Sequence, residues 1–538
     1  MAILTSFAVV LAVVFGCWAA AERKNVLFLA IDDLRPELGC YGSAQALSPH
    51  IDQLAAKSLL FERAYCQQAL CSPSRASLLT GRRPDTNHVW LIDPDEYWRK
   101  VTNATTIPQY FKENGYISIG MGKVFHPGGP SGFDDVLYSW SPEGLPYYHA
   151  PLEKQYGPGQ NKTSLWWGFD GFEDNDLPDG QICDQAIKTL QALKANRTKG
   201  DQRPFFLAIG FHKPHIPHFA PKKYFDMYPD ATEIALPANP RPPVEMPDVA
   251  WSTWNHIREF DNLAIYFEGK NCTASNTTQM LSTECALPDE ATREARRGYY
   301  ATMTYSDYQV GKVLAELEAQ GFANDTIVVL WGDHGWHLGE LGEWAKFTNF
   351  EDDTRVPFLL HVPGVTDIGM RSDALVELID IFPTLVDITG LPKVDLCPMT
   401  KQPLTCVEGT SIAPLLKNPN MPFKKAAFSQ YPRPTCGLYH IPGHTFIKNG
   451  SKVDQKQVMG YTMRTKEYRY TLWVGFNDTL AVPHWDDVWG EELYDHTSPT
   501  VHFNDENENL ANKPNMASTK EELKKMLLAG WREAIPLK

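Results

Sequence analysis

Asn25-Val26-Leu27-Phe28-Leu29-Ala30-Ile31 is a short apolar run that ends on Asp32-Asp33-Leu34-Arg35-Pro36. A run of this length without polar alternation suits a strand buried on both faces, in the middle of a mainly parallel sheet. Open α/β sheets bind ligands beyond the carboxyl ends of their strands, so adjacent carboxylates there mark a candidate site. Hard oxygen donors of this kind suit Ca²⁺ or Mg²⁺. Asp-Asp standing alone is equally compatible with a solvated turn.

Outward from this run, strands and helices alternate. Ser48-Pro49 opens a helix through Ile51, Leu54 and Ala55, and 58–65 reads as a strand. That strand delivers Cys71-Ser72-Pro73-Ser74-Arg75-Ala76-Ser77-Leu78-Leu79-Thr80-Gly81, with a helix from Pro73 onward. Proline is comfortable in a first helical turn, where its missing N–H costs nothing. The amino end of a helix offers free N–H groups and partial positive charge to an anion. Arg75 adds a planar fork of donors. Without further context Cys71 also reads as a buried structural thiol ahead of a helix.

A helix over 106–114 stops at Gly115, and a strand over 116–121 leads into Gly122-Lys123-Val124-Phe125-His126-Pro127-Gly128. Residues 130–180, rich in Gly, Pro, Tyr and Trp, read as a long surface excursion that lines a cleft. An amphipathic helix over 181–194 places Ile182, Ala186, Leu190 and Leu193 on one face. A strand over 205–211 runs into His212-Lys213-Pro214-His215-Ile216-Pro217-His218. Its prolines stiffen the loop, and its spacing lacks the partners of a usual zinc site. Residues 220–288 are proline-rich and irregular. A long helix over 290–320 and a strand over 326–331 follow, ending in Gly332-Asp333-His334-Gly335-Trp336-His337. Beyond Glu343-Trp344-Ala345-Lys346 come a strand over 356–362 and a helix over 372–389.

This alternation predicts a doubly wound α/β domain with helices on both faces of its sheet. After Pro422 the character changes. Residues 460–475 alternate like a hairpin and 518–531 form a last helix, so a smaller α+β domain of at most four strands is expected. The expected division is a signal peptide at 1–21, a catalytic domain at 22–420 and a second domain at 421–538, with the boundary between 410 and 430.

The chain has 538 residues, too many for one ordinary domain, and its 43% hydrophobic content permits a large core. A net charge of -15 opposes nucleic-acid binding, so an anionic substrate would need a local basic pocket. An acidic balance also suits a low working pH, at which carboxylates begin to protonate and His gains charge. The apolar run from Ile3 to Trp18, followed by Ala19-Ala20-Ala21, reads as a secretory signal with a weak basic start. No later stretch reaches the roughly 18 apolar residues of a membrane span. Glycosylation sequons at Asn103, Asn161, Asn196, Asn271, Asn276, Asn324, Asn449 and Asn477 agree with secretion. Oxidising compartments permit disulfides. Cys397 and Cys406 close a short proline-flanked loop and are the first expected bridge, with Cys272 and Cys285 the next.

The residues 71–81 match the sulfatase signature at every fixed position, and the chain resembles that family over nearly its full length. Asp32 to Pro36, Ile107 to Tyr116, Gly122 to Pro127, His212 to Pro217, Asp333 to Trp336, Gly342 to Lys346 and Ser429 to Pro434 carry the rest of the resemblance. It implies an alkaline-phosphatase-like fold with a doubly wound mixed sheet. It implies that Cys71 is oxidised to formylglycine by the formylglycine-generating enzyme, that the aldehyde hydrates, and that a diol oxygen attacks sulfur. One Ca²⁺ would be held by Asp32, Asp33, Asp333, His334 and the modified Cys71. Arg75, Lys123 and Lys346 would neutralise sulfate, His215 would protonate the leaving oxygen, and His126 would take a proton from the second diol oxygen. Trp336 is a further candidate for sugar contact, together with His337, although a tryptophan more often serves packing than recognition. The implied activity is that of a lysosomal or secreted exosulfatase on sulfated glycosaminoglycan, narrowly the 2-sulfate of terminal iduronate in heparan and dermatan sulfate. A sulfatase for another sugar ester, a phosphoryl hydrolase of the same superfamily and a silent glycan-binding homologue are the rivals. The intact Cys71 opposes the second, and the full catalytic set opposes the third.

Overall fold

In the computed structural model the first apolar run is strand β1, Asn25–Ile31, with every residue buried. The structure describes residues 23–536 apart from 143–145, 152–164, 170, 172, 253–256, 258–259, 269, 271–285, 401, 434–446, 449–450, 453–456 and 498–504. The signal peptide, the Cys272 and Cys285 pairing, and the sequons at Asn161, Asn271, Asn276 and Asn449 lie outside the described residues.

Six further strands join β1 in a seven-stranded sheet: β2 Leu59–Tyr65, β3 Ile117–Gly122, β4 Phe205–Phe211, β5 Thr326–Gly332, β6 Arg355–His361 and β7 Met370–Glu377, in the order β7-β2-β6-β5-β1-β4-β3. β1 runs parallel to β4 and β5, β3 to β4, and β7 to β2. Only β6 is reversed, antiparallel to both β2 and β5.

Helices cover both faces, as the unbroken apolar strands require. Leu27, Leu29 and Ile31 pack under α1 (Pro49–Ala55), α4 (Pro178–Thr198) and α5 (Asp289–Ala319). Val26, Phe28 and Ala30 face α2 (Cys71–Thr80), α3 (Ile107–Glu113) and α6 (Ile381–Ile388). The alternation of β1 side chains thus splits one strand between two cores.

Two expectations change. The segment 372–389 is not one helix: Met370–Glu377 is strand β7, and the helix begins only at Ile381. Ala374, Leu375 and Val376 are all buried beside β2, so the edge strand shows no period-2 signal, and pairing overrides the helical spacing. The stretch 130–180 is not merely a surface excursion. Trp140 and Trp166 are buried, and Trp167–Gly168 pairs with His218–Phe219.

The second sheet is antiparallel, in the order β8 (Ala427–Arg433), β9 (Val458–Arg464), β10 (Tyr468–Asn477) and β11 (Val482–Asp495). The last helix α7, Ala517–Ala529, packs on it through Leu523 and Leu527. β8 joins the two parts: Gln430 N donates to Gln67 O at 2.9 Å, and Arg433 Nη1 to Phe347 O at 2.9 Å. Cys397 and Cys406 form a disulfide, and among the described residues Cys40, Cys66, Cys71 and Cys183 are free. No helix among the described residues is long and apolar enough to cross a membrane.

Candidate active site

Parallel strands deliver their carboxyl ends to one edge, and the candidate residues follow those ends. Asp32 and Asp33 follow β1, Lys123 follows β3, His212 and Lys213 follow β4, and Asp333 and His334 follow β5. Cys71 is the first residue of α2, two positions earlier than proline placement suggested. Gly81, at φ 67°, closes that helix in the left-handed conformation that glycine adopts freely. Asp33 has φ 57°, and Lys346 sits between Ala345 at φ 72° and Phe347 at φ 95°. Such backbone persists where the surroundings over-determine it, as at a binding site.

Arg75 is wholly buried and commits four of its five N–H donors to the chain. Nε donates to Asp333 Oδ2 and Nη2 to Asp32 Oδ1, each at 2.9 Å. Nη1 donates to the carbonyls of Lys123 and Val124. Arg75 therefore aligns two carboxylates beside Cys71. Lys123 Nζ donates to Asp32 Oδ2. Lys346 Nζ donates to Asp33 Oδ1 at 2.6 Å and to Cys71 Sγ at 3.0 Å. An ammonium has three donors, so both lysines keep spare ones.

The donor atoms of Asp32, Asp33, Cys71, Asp333 and His334 all lie within 4.8 Å of one another. His334 Nδ1 donates to Gly335 O at 2.9 Å, which leaves Nε2 as a lone pair 3.2 Å from Asp33 Oδ1 and 3.4 Å from Cys71 Sγ. Asp33 Oδ2 is buried without a hydrogen-bond partner. Electron-rich atoms facing one another around an orphaned carboxylate oxygen fit a hard divalent cation. A second cluster, Glu351, His496 and Glu506, does not fit one. Its carboxylates already accept from Arg464 and Arg469.

Titration behaviour agrees. Burial and the Asp32 charge outweigh Lys346 and push the Asp33 carboxyl up to about 8. Burial also raises Asp32, but Lys123 and Arg75 overcome it and hold that carboxyl well below its usual range. Burial, together with the Asp32 charge, raises the Cys71 thiol, so the unmodified side chain stays protonated and weakly nucleophilic. His126 is pushed down to about 3 by burial and by Lys123. Its Nδ1 faces Pro127 O at 3.1 Å, leaving Nε2 free to accept a proton. His215 is 32% exposed, with Nδ1 at 2.6 Å from Ile216 O and Nε2 at 3.9 Å from Asp33 Oδ2. Burial, with Lys123 and Lys346, lowers its pKa well below the ordinary value.

A sequence model of the family named Sulfatase matches residues 24–391. The chain belongs to the sulfatase family. It is a sulfuric ester hydrolase, 40% identical to human iduronate 2-sulfatase over 88% of this chain and 90% of that one. It is also 39% identical to mouse iduronate 2-sulfatase, over 88% and 89% of the two chains. A solved structure described as in complex with its substrate D-glucosamine-2-N,6-O-disulfate shares the alkaline-phosphatase-like fold. It aligns at TM-score 0.65 and 21% identity, covering 95% of this chain and 98% of that one.

Against the sulfatase pattern, Trp336 needs correction as a sugar contact. Its ring is 0% exposed and packs among Trp166 and His218, with the Lys346 ammonium 5.4 Å from its centre. His337 is equally buried. Both support the floor of the site. Cys66 is also buried, and burial raises its thiol far above the ordinary range, so it is inert. Asn103, Asn196 and Asn324 are exposed and Asn477 is half-buried.

Two positioning residues escaped the sequence reading. Asp179 accepts from His212 N and Lys213 N, each at 2.8 Å, and so shapes the loop that carries His215. The Tyr299 hydroxyl donates to Asp33 O and accepts from Arg35 N, each at 2.9 Å. Asp179 follows Pro178 in the first turn of α4, a weak local signal. Tyr299 sits mid-helix with no local signal.

Proposed function

We propose that this sulfatase removes the 2-sulfate from terminal iduronate in heparan and dermatan sulfate. The observation that carries the reading is the near-full-length identity to iduronate 2-sulfatases combined with the complete charged constellation around Cys71. The nucleophile is a formylglycine made from Cys71, whose Sγ marks the place of the reacting oxygens. Bound Ca²⁺, held by Asp32, Asp33, Asp333, His334 and residue 71, would supply Lewis-acid polarisation of the sulfate.

The chain's own groups do the rest. Spare donors of Lys123 and Lys346 bind sulfate oxygens and offset charge that builds during transfer. Arg75 keeps Asp32 and Asp333 in place. His215, at the open side, holds the proton for the departing sugar oxygen, and His126, kept neutral, accepts one during sulfate release. The protein travels the secretory pathway to the lysosome or outside the cell, glycosylated on its exposed sequons, after the formylglycine-generating enzyme acts on Cys71.

The test is sulfate release at about pH 5, where imidazoles gain protons, from a disaccharide ending in 2-sulfo-iduronate. Cys71 conversion is checked by peptide mass. Release from that substrate and little from a 6-sulfo-glucosamine disaccharide is expected. Converted protein that cleaves only the latter overturns the iduronate assignment and retains sulfatase chemistry.

A further inference from the structure

A second cleft lies at the junction of the two sheets. It has a volume of about 690 Å³ including its mouth, and its lining includes Gln67, Arg83, Asp85, Tyr461, Trp485 and Trp531. Gln67 is 1% exposed, yet neither its amide nitrogen nor its amide oxygen has a hydrogen-bond partner. Arg83 Nε is also buried and unpartnered. Buried polar atoms are almost always paired, because an unmet donor or acceptor costs about 1–3 kcal/mol. Both residues line one cleft, and their unmet atoms point to a ligand that completes them.

The lining restricts that ligand. Tyr461 and Trp485 form a tilted pair with centroids 5.1 Å apart, and Trp531 lies 5.0 Å from the Arg83 guanidinium carbon. Such rings suit the apolar face of a pyranose, in the way aromatic surfaces take ligands that are part apolar and part polar. Among the described residues that line the cleft, no cation lacks a carboxylate partner for an acidic sugar to take. Arg83 is bound through both terminal nitrogens to Glu377, at 2.8 Å each. Asp85 adds a carboxylate, held by Trp90 Nε1, Gln430 Nε2 and the Tyr461 hydroxyl at 2.9, 2.6 and 2.7 Å. A primary amide with one unmet donor side and one unmet acceptor is the reciprocal partner of another amide.

We propose that this cleft binds the ring and acetamido group of an uncharged N-acetylhexosamine, apart from the sulfate site. The contact gives the enzyme a second hold on glycan without drawing on its catalytic charges.

The probe is methyl N-acetylglucosaminide, followed by saturation-transfer NMR on the full chain. Transfer to the acetyl methyl is expected at roughly millimolar affinity, unchanged by inorganic sulfate, with methyl glucoside bound more weakly. Trp485→Ala, on a half-exposed strand, weakens binding by about tenfold or more and leaves sulfate release unchanged. Gln67→Leu does the same to binding. No transfer, displacement by sulfate, equal binding of methyl glucoside or undiminished binding by Trp485→Ala each overturns the proposal. Because the probe carries no sulfate, the result is independent of which ester the enzyme cleaves.

Discussion

Two buried charge clusters in this molecule use the same residue types and come to opposite ends. At the domain junction Glu377 is saturated. Oε1 accepts from Arg83 Nη1 at 2.8 Å and Phe428 N at 3.0 Å, and Oε2 from Arg83 Nη2 at 2.8 Å and Lys424 Nζ at 2.6 Å. At the active site Asp33 Oδ2 has no hydrogen-bond partner, while Oδ1 accepts from Lys346 Nζ at 2.6 Å and also faces an imidazole lone pair. Burial raises both carboxyls, but Arg83 and Lys424 pull Glu377 back down to about 2, while Asp33 rises to about 8. A desolvated charge with all its hydrogen bonds made is structural glue. The same charge left short stores an affinity for a ligand, at a cost met by the surrounding fold.

The largest expected effect tests the unsaturated side. Asp33→Asn should lower kcat by roughly 10³-fold with little change in melting temperature, because the amide oxygen can still accept from Lys346 Nζ while the unpartnered carboxylate oxygen is removed. A large loss of stability in that variant would erase the contrast. Lys424→Met tests the saturated side: it leaves Glu377 short of a partner and should destabilise by about 3–5 kcal/mol in urea unfolding, with kcat of the folded fraction intact. The Glu377 contribution is present above pH 4.5, its unfolded value, and disappears as pH falls through about 2, so the junction holds at the acidic pH of the assay.

A cation should bridge the two behaviours by satisfying Asp33. Calcium at a hundredfold excess over its Kd should raise unfolding free energy by about 2.7 kcal/mol, and Asp33→Asn should abolish that gain while Lys424→Met preserves it. Equal calcium stabilisation in both variants would place the ion elsewhere. The smallest effect concerns His215. The imidazole must be protonated to act as acid, and its pKa lies below the ordinary 6.5, so kcat/KM should fall about tenfold per pH unit above that pKa. His215→Gln should flatten this limb of the profile, and a limb that survives belongs to another group.

Much of the site was legible because its chemistry sits at strand ends. Short apolar runs marked β1, β4 and β5, and the residues immediately after each carry the carboxylates and imidazoles. The signature around Cys71 and the short Cys397–Cys406 loop were equally local signals. The second sheet with its terminal helix was expected from alternation alone. What failed were judgements about exposure. Trp336 looks like a ligand contact in sequence, yet it is fully covered by residues more than a hundred positions distant, Trp166 and His218 among them. β7 looked helical because an edge strand covered on both faces has lost its alternation.

The sequence by itself determined which groups exist and which strand end presents each, since burial pattern and local turn chemistry are properties of neighbouring residues. Tertiary structure alone decided which of those groups were left unsatisfied. Arg75 is tied to Asp32 and Asp333, whereas Asp33 retains a bare oxygen and Gln67 a bare amide. Hydrogen-bond saturation depends on partners brought together from distant positions in the chain, and it is saturation that separates a buried charge serving the fold from one serving the reaction.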